Sequence, residues 1–392
     1  MRTQVGIIGA GPAGLMLAHL LAREKIESVV LEVRSREYVQ ERVRAGVLEQ
    51  GTVDLMRAAG VGARLAHEGL LHRGIELRFA RGRHRIDLSE LTDGAAITIY
   101  GQNEVIKDLT DARVATGQPI FFECATVSVH GFDAEQPTIR FAHGGTEHEL
   151  RCDYIAGCDG FHGVCRSSIP ASALTLYERV YPFAWLGILA AVAPSSEELI
   201  YSHHERGFAL HSMRSPKLTR LYLQCAPDEK LEAWPDVRIW EELDRRFEID
   251  GGWSLKRGPI THKGITEMRS FVAEPMQYGR LFLAGDAAHI VPPTGAKGLN
   301  LAIADVRVLA RALAEYYRSG ERAMLEEYSR ICLRRVWKVQ RFSWWMTAML
   351  HRFDEHNAFD ARRQMAELDY LTSSRAAAQS LAENYVGLPI QW

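Results

Sequence analysis

Gln4-Val-Gly-Ile-Ile-Gly9-Ala-Gly11-Pro-Ala-Gly14 opens the stretch that decides the fold. Its apolar start predicts a strand, and the leucines after the glycines predict a helix that leads to a second strand ending at Glu32. Gly9 suits the tight turn, Gly11 lets a pyrophosphate approach the backbone, and Gly14 lets helix and strand pack closely. Glu32 is placed to accept ribose hydroxyls. The stretch predicts a Rossmann-like βαβ unit that binds a dinucleotide, without separating FAD from NAD.

The composition is that of an ordinary globular protein. The 392 residues are 47% hydrophobic and 24% charged, which is enough for two or three domains. A net charge of −2 gives no reason to expect nucleic acid or an anionic membrane as a partner. Six scattered cysteines without a CxxC pair predict reduced thiols rather than a metal site. No apolar run is long enough to span a membrane and no signal peptide precedes the first strand, so we expect a cytoplasmic protein.

A second stretch, Arg280 to Asn300, has the features of a ligand-binding loop. A short apolar strand ends at Gly285-Asp286, which puts a carboxylate where open α/β sheets bind their ligands. Pro292-Pro293 removes two backbone donors, and glycines flank Lys297. Apolar residues at helical spacing then predict a helix whose amide end faces the loop.

The strand beginning at Tyr154 also ends in an acid and a glycine, Asp159-Gly160. No second GxGxxG occurs in the chain, so one dinucleotide has a dedicated fold and a nicotinamide must bind elsewhere, in a cleft. This pattern argues against the disulfide reductases with two nucleotide-binding domains, whose paired redox cysteines are also missing.

From about Tyr177 to Ser270 the pattern changes to short strands. The period of two places Ser212 and Arg214 on one face of a strand, and Arg220 with Tyr222 on one face of the next. A hydroxyl, an arginine and a tyrosine brought together across a hairpin make a good carboxylate receptor. An exposed polar sheet face explains the same residues equally well.

Other candidates carry less information alone. Arg42 and Arg44 beside Gly46 are either a solvated charge pair or a phosphate-binding pair. His72 and Gln102 have no special meaning alone. Towards the end of the chain, an aromatic and methionine stripe in a predicted helix from 336 to 353 indicates core or a subunit interface. The turn-forming residues from 384 to 389 predict a non-helical tail.

Three motifs in order resemble the single-component flavoprotein aromatic hydroxylases: the glycine motif, Cys158-Asp159-Gly160 and Gly285-Asp286. Longer segments at 42–50, 154–163, 285–300 and 383–389 extend the resemblance from Arg2 to Pro389, and are most similar to the members that act on 4-hydroxybenzoate. The resemblance implies hydroxylation of 4-hydroxybenzoate at the 3-position with O2 and a reduced nicotinamide, through a flavin C4a-hydroperoxide. It also implies a homodimer.

The fold that the resemblance implies is α/β, with a Rossmann-like FAD-binding βαβ domain, a mainly antiparallel β-sheet substrate domain and a helical C-terminal region. The expected boundaries are 1–175 for the FAD domain, with strands around 71–98 joining the substrate sheet, and 176–268 for the substrate domain. Residues 269–392 return to the FAD domain and form the helical region.

The resemblance assigns site residues position by position. Those matching FAD-binding positions are Gly9, Gly11, Gly14, Glu32, Arg42, Arg44, Gln102, Asp159, Asp286, Lys297, Leu299 and Asn300. Lys297 and the following helix start would offer positive potential to the reduced flavin. The nicotinamide positions are Arg34, Tyr38, Arg42, Arg44, His162 and Arg269. Val33-Arg34 departs from the Arg-Gln of familiar members, so we expect NADPH with NADH possible.

The substrate positions form two groups. Ser212, Arg214 and Tyr222 match the carboxylate site. At the phenol end, Tyr201 and Tyr385 match the pair that draws off the phenolic proton, His72 links them to solvent, and Pro293 directs a carbonyl at the hydroxyl. Two alternatives stay open: a flavin hydroxylase for an amino- or dihydroxybenzoate, and a flavin-bound redox sensor without turnover.

Overall fold

The structure, a computed structural model, describes residues 1–42, 46–353, 355 and 357–392. Along the chain the strands are β1 (Val5–Ile8), β2 (Ser28–Leu31), β3 (Val47–Leu48), β4 (Leu70–His72), β5 (Gly74–Phe79), β6 (Gly82–Asp87), β7 (Ile97–Ile99), β8 (Ile120–Phe121), β9 (Ala125–His130), β10 (Thr138–His143), β11 (Thr146–Arg151), β12 (Tyr154–Gly157), β13 (Thr175–Ala190), β14 (Leu199–Ser202), β15 (Ala209–Ser215), β16 (Leu218–Cys225), β17 (Ile260–Glu274), β18 (Gln277–Tyr278), β19 (Leu281–Leu283) and β20 (His289–Ile290). The helices are α1 (Pro12–Arg23), α2 (Arg36–Glu41), α3 (Gln50–Ala58), α4 (Ala63–Glu68), α5 (Leu88–Leu91), α6 (Gln102–Ala115), α7 (Val164–Ser168), α8 (Asp236–Phe247), α9 (Gly298–Ser319), α10 (Ala323–Leu350), α11 (Ala358–Ser373) and α12 (Arg375–Val386).

A six-stranded sheet contains the glycine-rich βαβ unit. Its order is β18-β19-β12-β1-β2-β8, and every neighbouring pair except β18 with β19 is parallel. The strands β1, β2 and β12 are buried along their whole length, as expected of a parallel sheet covered on both faces. A Cβ at Gly9 would lie 2.2 Å from the Cys158 carbonyl oxygen, and one at Gly14 would lie 1.9 Å from the Gly9 carbonyl oxygen. The two glycines therefore let β1, β12 and α1 approach each other.

An eight-stranded sheet forms the second large element, in the order β20-β17-β13-β16-β15-β14-β5-β6. Its pairs are antiparallel except for β14 with β5. Leu77, Tyr201 and Leu210 belong to a core shared with the C-terminal helices, while Ile188 and Leu221 belong to a core shared with α8. One face of the sheet therefore packs against the C-terminal helices, and the opposite face is covered by α8. Two three-stranded sheets, β3-β7-β4 and β11-β10-β9, lie outside it.

The C-terminal region is helical, and one local prediction was wrong. Helix α12 continues through Tyr385 to Val386, although its last residues were predicted to be non-helical. The helix ends at Gly387, whose φ of 107° is not helical. The non-helical tail therefore begins three residues later than the predicted residue 384. In the predicted stripe, Phe342 is buried while Trp344 is 45% exposed, so the stripe is only partly core.

The architecture confirms the α/β fold with an antiparallel sheet and a helical C-terminal region. In the described part of the chain, none of the helices combines the length and the hydropathy needed to cross a membrane.

Candidate active site

The glycine loop presents an open surface at the start of α1. Gly11 is the N-cap of this helix and gives it no side-chain cap, so amide groups of the first turn remain available to an anion. A Cβ at Gly11 would meet no protein atom within 4 Å, unlike those at Gly9 and Gly14. The protein itself therefore does not require glycine at position 11. A phosphate group lying against the loop would require a glycine at this position.

Glu32 lies at the end of β2, beside the glycine loop. Its two carboxylate oxygens accept hydrogen bonds from the backbone amides of Ala10, at 2.7 Å, and Arg34, at 2.8 Å. These bonds fix the carboxylate next to the loop, and each oxygen keeps a further lone pair for a ligand hydroxyl.

Asp159 and Asp286 follow the ends of two neighbouring strands, β12 and β19. Asp159 Oδ2 accepts a hydrogen bond from the Cys165 amide at 2.9 Å, while its Oδ1 is buried and has no partner among the described residues. Burial raises the pKa of Asp159. A Cβ at position 163 would lie 2.0 Å from Asp159 Cγ, so a larger residue there would displace this carboxylate. Asp286 is exposed in the 3-10 turn Gly285–Ala287. The orphaned oxygen and the open glycine loop fit the hydroxyls and phosphates of a dinucleotide such as FAD.

The start of α9 does not offer a free lysine. Lys297 is buried, and its ammonium donates to Glu49 Oε1 and to the Tyr385 carbonyl, both at 2.8 Å. Glu49 also pairs with Arg335 at 2.5 Å. Burial lowers the pKa of Lys297, against the influence of Glu49. Lys297 is therefore ion-paired rather than free, and Glu49 is shared between it and Arg335. That Lys297 and the helix start offer positive potential to a flavin stays a prediction.

Asn300 and its neighbour Leu299 lie in the first turn of α9. The Asn300 side chain donates to the carbonyls of Val47 and Ala296 and accepts from the Glu49 amide and the Thr52 hydroxyl. Its hydrogen-bonding capacity is used within the protein, so it joins α9 to the segment before α3. Leu299 is half-buried. Gln102, the first residue of α6, is also half-buried.

Two arginines on the inner face of the eight-stranded sheet have no acidic partner in the part of the chain that the structure describes. The register pairs Ser212 with Arg220 and Leu210 with Tyr222, which puts these side chains on one face. Arg214 Nη1 donates to the Met213 carbonyl at 2.9 Å, and its buried Nε has no partner among the described residues.

Arg220 is the second cation; the period of two had placed it on one face with Tyr222, but the family resemblance assigned it no substrate position. Its Nε and Nη1 are buried and unpartnered within the described chain, and its guanidinium lies 4.9 Å from the centre of the Tyr222 ring. Burial lowers the pKa of Arg214. Burial also works to raise the pKa of Tyr222, but Arg214 and Arg220 lower it overall. The cluster has excess positive charge and fits an anionic ligand group.

Tyr201, on β14, and Tyr385, on α12, are joined by a hydrogen bond between their hydroxyls. The Tyr201 hydroxyl donates to the Thr294 carbonyl at 3.1 Å, so in this arrangement Tyr385 is the donor to Tyr201. Burial raises the pKa of both phenols, which are therefore protonated at neutral pH. The Pro293 carbonyl accepts from the Ala296 amide at 2.9 Å and keeps one lone pair.

His72 is not at the surface, as a direct link to solvent would require. It is 1% exposed, and neither ring nitrogen has a hydrogen-bond partner among the described residues. Burial lowers its pKa to about 4, although Glu198 acts to raise it. Glu198, whose side chain is 20% exposed, is held by Arg85 at 2.7 Å. A proton that reached His72 would need a further group or water to leave, and the connection from Tyr385 to His72 stays a prediction.

The residues predicted for the nicotinamide fall into two groups. Tyr38, on α2, has two guanidinium groups near its ring, with Arg34 5.3 Å and Arg42 5.7 Å from the ring centre. In the second group, His162 packs edge-on against Phe161 with ring centres 5.0 Å apart, and Arg269 lies 4.9 Å from the same ring. The prediction for Arg44 falls outside the described residues.

Some site residues could not be found from the sequence. Phe161 joins His162 to Arg269, and Arg166 lies 4.7 Å from the centre of the same ring while donating to the Ala287 carbonyl. Glu49 meets Lys297 only because the fold brings together residues 248 positions apart. No local sequence pattern predicts such pairs.

Comparisons with known proteins agree with this geometry. A family model described as "FAD binding domain" matches residues 2–343. The chain is 51% identical to the p-hydroxybenzoate hydroxylase of Acinetobacter baylyi over 391 residues, covering 100% of this chain and 96% of that protein. It is 24% identical to the protoasukamycin 4-monooxygenase of Streptomyces nodosus subsp. asukaensis, covering 89% and 88%.

Solved structures show the same fold. The p-nitrophenol 4-monooxygenase PnpA of Pseudomonas putida DLL-E4 superposes with a TM-score of 0.84 at 19% identity, covering 99% of this chain and 100% of that one. Since the family model spans most of the chain and the Acinetobacter relative is half identical over its full length, the chain belongs to the FAD-dependent aromatic hydroxylases, a family of flavoprotein monooxygenases.

Proposed function

We propose that this enzyme hydroxylates 4-hydroxybenzoate at its 3-position to give 3,4-dihydroxybenzoate, consuming O2 and NADPH. The observation that carries the proposal is a pair of arginines, Arg214 and Arg220, with buried nitrogens that have no partner among the described residues. They lie beside Tyr222, which packs against the core that contains the buried phenol pair Tyr201 and Tyr385. A carboxylate at one end and a para hydroxyl at the other match this polarity. The name of the Acinetobacter relative, p-hydroxybenzoate hydroxylase, supports the same substrate.

FAD would be held along the carboxyl ends of the six-stranded sheet. Gly9, Gly11 and Gly14 would receive the pyrophosphate at the start of α1, and Glu32 a ribose. Asp159, Asp286, Gln102, Leu299 and Asn300, with Arg42 and Arg44, complete the proposed FAD positions; Lys297 would act through its ion pair with Glu49 and the start of α9. When bound, FAD supplies the activation of O2 and accepts the electrons of the nicotinamide.

The carboxylate end binds the substrate through Arg214, Tyr222 and Ser212. Arg214 has its Nε free, and the fork of a guanidinium matches a carboxylate with two parallel hydrogen bonds. An unpaired buried cation costs several kcal/mol, and a substrate carboxylate removes that cost on binding. The site therefore selects a benzoate over a neutral phenol.

The phenol end makes the ring electron-rich. Tyr201 would donate its hydroxyl proton to the substrate oxygen instead of to the Thr294 carbonyl, while Tyr385 continues to donate to Tyr201. The Pro293 carbonyl has a lone pair for the substrate hydroxyl proton. His72 is neutral at pH 7, so it would pass a proton on through water rather than hold it. Because Tyr201 and Tyr385 are each 1% exposed, bulk water is kept from the reacting ring.

The nicotinamide would bind at Arg34, Tyr38, Arg42 and Arg44, with His162 and Arg269 at the second group. Arg34 and Arg42 beside an exposed tyrosine suit a phosphate and an adenine, because guanidiniums pair with phosphate and stack on aromatic rings. Val33 cannot bind phosphate, so we propose NADPH with NADH as a weaker donor. An equal or reversed ratio of kcat/KM for the two would contradict this preference.

We further propose that the enzyme is a cytoplasmic homodimer. Trp337 and Trp344 on α10, and Tyr370 on α11, are 41%, 45% and 57% exposed, and aromatic residues are enriched at subunit interfaces. Sedimentation of the FAD-loaded protein tests the dimer.

The experiment that tests the function measures NADPH oxidation and product by chromatography, with the FAD-loaded protein and a panel of benzoates. We expect 4-hydroxybenzoate to stimulate oxidation and to be converted to 3,4-dihydroxybenzoate. Benzoate, which lacks the hydroxyl, is the matched control and should bind without yielding this product. Conversion of an aminobenzoate or a dihydroxybenzoate in preference would replace the proposed substrate, and no stimulation by any benzoate would favour a redox sensor.

A further inference from the structure

A buried histidine–aspartate pair lies under the turn that carries Asp286. His289 and Asp305 are 1% and 2% exposed, and His289 Nε2 lies 2.6 Å from Asp305 Oδ2. The same carboxylate oxygen accepts the backbone amide of Gly285 at 2.9 Å. One oxygen on α9 thus holds the first residue of the turn and the first residue of β20.

The remaining bonds of the turn leave it little freedom. The Ala288 amide donates to the Gly285 carbonyl at 2.8 Å, and the Ala273 amide on β17 donates to the Ala288 carbonyl at 2.8 Å. Gly285 has a φ of 63°, and a Cβ there would lie 3.1 Å from the Ala302 side chain of α9. Asp286 is the exposed residue of the turn, whereas Gly285 and Ala287 are buried. The backbone of the turn is therefore held in place, whereas the Asp286 carboxylate is accessible to a ligand.

The pair is also a charge pair. Burial lowers the pKa of His289, but Asp305 and then Asp286 raise it above its ordinary value. The other titratable or charged groups facing the pair are Cys158 after β12, Tyr328 and Cys332 on α10, and Arg166 on α7, which donates to the Ala287 carbonyl. The imidazolium offsets two carboxylates, and removal of either partner leaves the other buried and unpaired.

We infer that His289 and Asp305 are a positioning pair for FAD: they hold the Gly285–Ala287 turn in the conformation in which Asp286 and the turn meet the cofactor. Both residues are buried under the turn and would act through it. The inference rests on the proposed role of Asp286 as an FAD ligand. Losing a hydrogen bond to a charged group that orients a ligand is expected to weaken binding about 10- to 100-fold.

The test titrates apoprotein with FAD and follows the fluorescence of the flavin. His289→Ala and Asp305→Asn should raise the FAD Kd at least about tenfold. The FAD Kd of His289→Gln should lie between those of the wild type and His289→Ala, because the glutamine amide can still donate to Asp305. Glu242→Gln is the matched control, since Glu242 is a buried carboxylate paired with Arg246 on α8, at the other large sheet. Its FAD Kd should stay within about twofold of the wild type.

A pH series separates positioning from general damage. As the pH rises through the raised pKa of His289, the wild type should lose FAD affinity, whereas His289→Gln should show no such step. Thermal unfolding of each apoprotein identifies folded material, and His289→Gln serves if His289→Ala does not fold. Unchanged FAD Kd in both His289→Ala and Asp305→Asn would overturn the inference, as would an equal loss in Glu242→Gln. Unchanged affinity in Asp286→Ala would overturn the assignment on which it rests. The substrate does not enter the titration, so failure of the proposed reaction would be seen separately.

Discussion

Replacing Arg214 with methionine should remove most of the affinity for 4-hydroxybenzoate while leaving FAD bound. Arg214 Nη1 is occupied by the Met213 carbonyl, so Nε and Nη2 form the edge left for a substrate carboxylate. Each hydrogen bond to a charged group contributes about 1.5–3 kcal/mol. With Arg220 and Tyr222 still present, we expect a net loss of about 3 kcal/mol, which is about 150-fold in Kd.

The assay is titration of the FAD-loaded protein with 4-hydroxybenzoate, followed by the flavin absorbance. Arg214→Lys keeps the charge and loses the fork, so its Kd should lie between those of the wild type and Arg214→Met. Phenol, which has no carboxylate, should bind both variants as it binds the wild type. Because an unpaired buried cation is removed, apo Arg214→Met should unfold at the same temperature as the wild type or higher. A Kd for 4-hydroxybenzoate within about threefold of the wild-type value would refute the carboxylate role.

Three further predictions test other parts of the site. Tyr201→Phe should still permit substrate-stimulated NADPH oxidation but divert oxygen to hydrogen peroxide, measured as product per NADPH; full coupling in this variant would contradict the role of the Tyr201 hydroxyl. Gly11→Ala should weaken FAD binding and leave the melting temperature of the apoprotein unchanged, since its Cβ meets no protein atom within 4 Å. Gly14→Ala should instead destabilise the apoprotein, because its Cβ would lie 1.9 Å from the Gly9 carbonyl oxygen. A destabilised Gly11→Ala apoprotein with unchanged FAD binding would place the ligand elsewhere. Finally, His72 has its pKa lowered to about 4 in the folded protein, so the unfolded chain binds more protons and stability should fall as the pH decreases from about 6.5 towards 4; His72→Gln should flatten that part of a denaturation series, and an unchanged slope would contradict the burial of a neutral imidazole.

The parts of the fold set by local pattern could be predicted from the sequence. The glycine motif between two apolar strands predicted β1, α1 and β2, because turn geometry and close packing leave few other residues possible at Gly9 and Gly14. The period of two in β15 and β16 predicted that Ser212 and Tyr222 share a face, which the register confirms.

What could not be predicted depends on partners distant in the sequence. Lys297 is a candidate cation in its loop, yet it is ion-paired with Glu49, which comes from the segment before α3 and also pairs with Arg335. His72 was expected to link the tyrosines to solvent; that it is buried, with 1% exposure, depends on surroundings distant in the sequence, and the link stays a prediction. The end of α12 was misplaced because Asn384 and Tyr385 have turn character locally, while Tyr385 is held in the helix by its packing against Tyr201.

The most direct test of the central claim is the stoichiometry of the reaction. FAD-loaded enzyme is given limiting NADPH with 4-hydroxybenzoate in air, and 3,4-dihydroxybenzoate is quantified against NADPH consumed. A site that binds the carboxylate at Arg214, engages the hydroxyl at Tyr201 and excludes water predicts about one product molecule per NADPH. NADPH consumption that yields only hydrogen peroxide, or that ignores 4-hydroxybenzoate, would contradict the account.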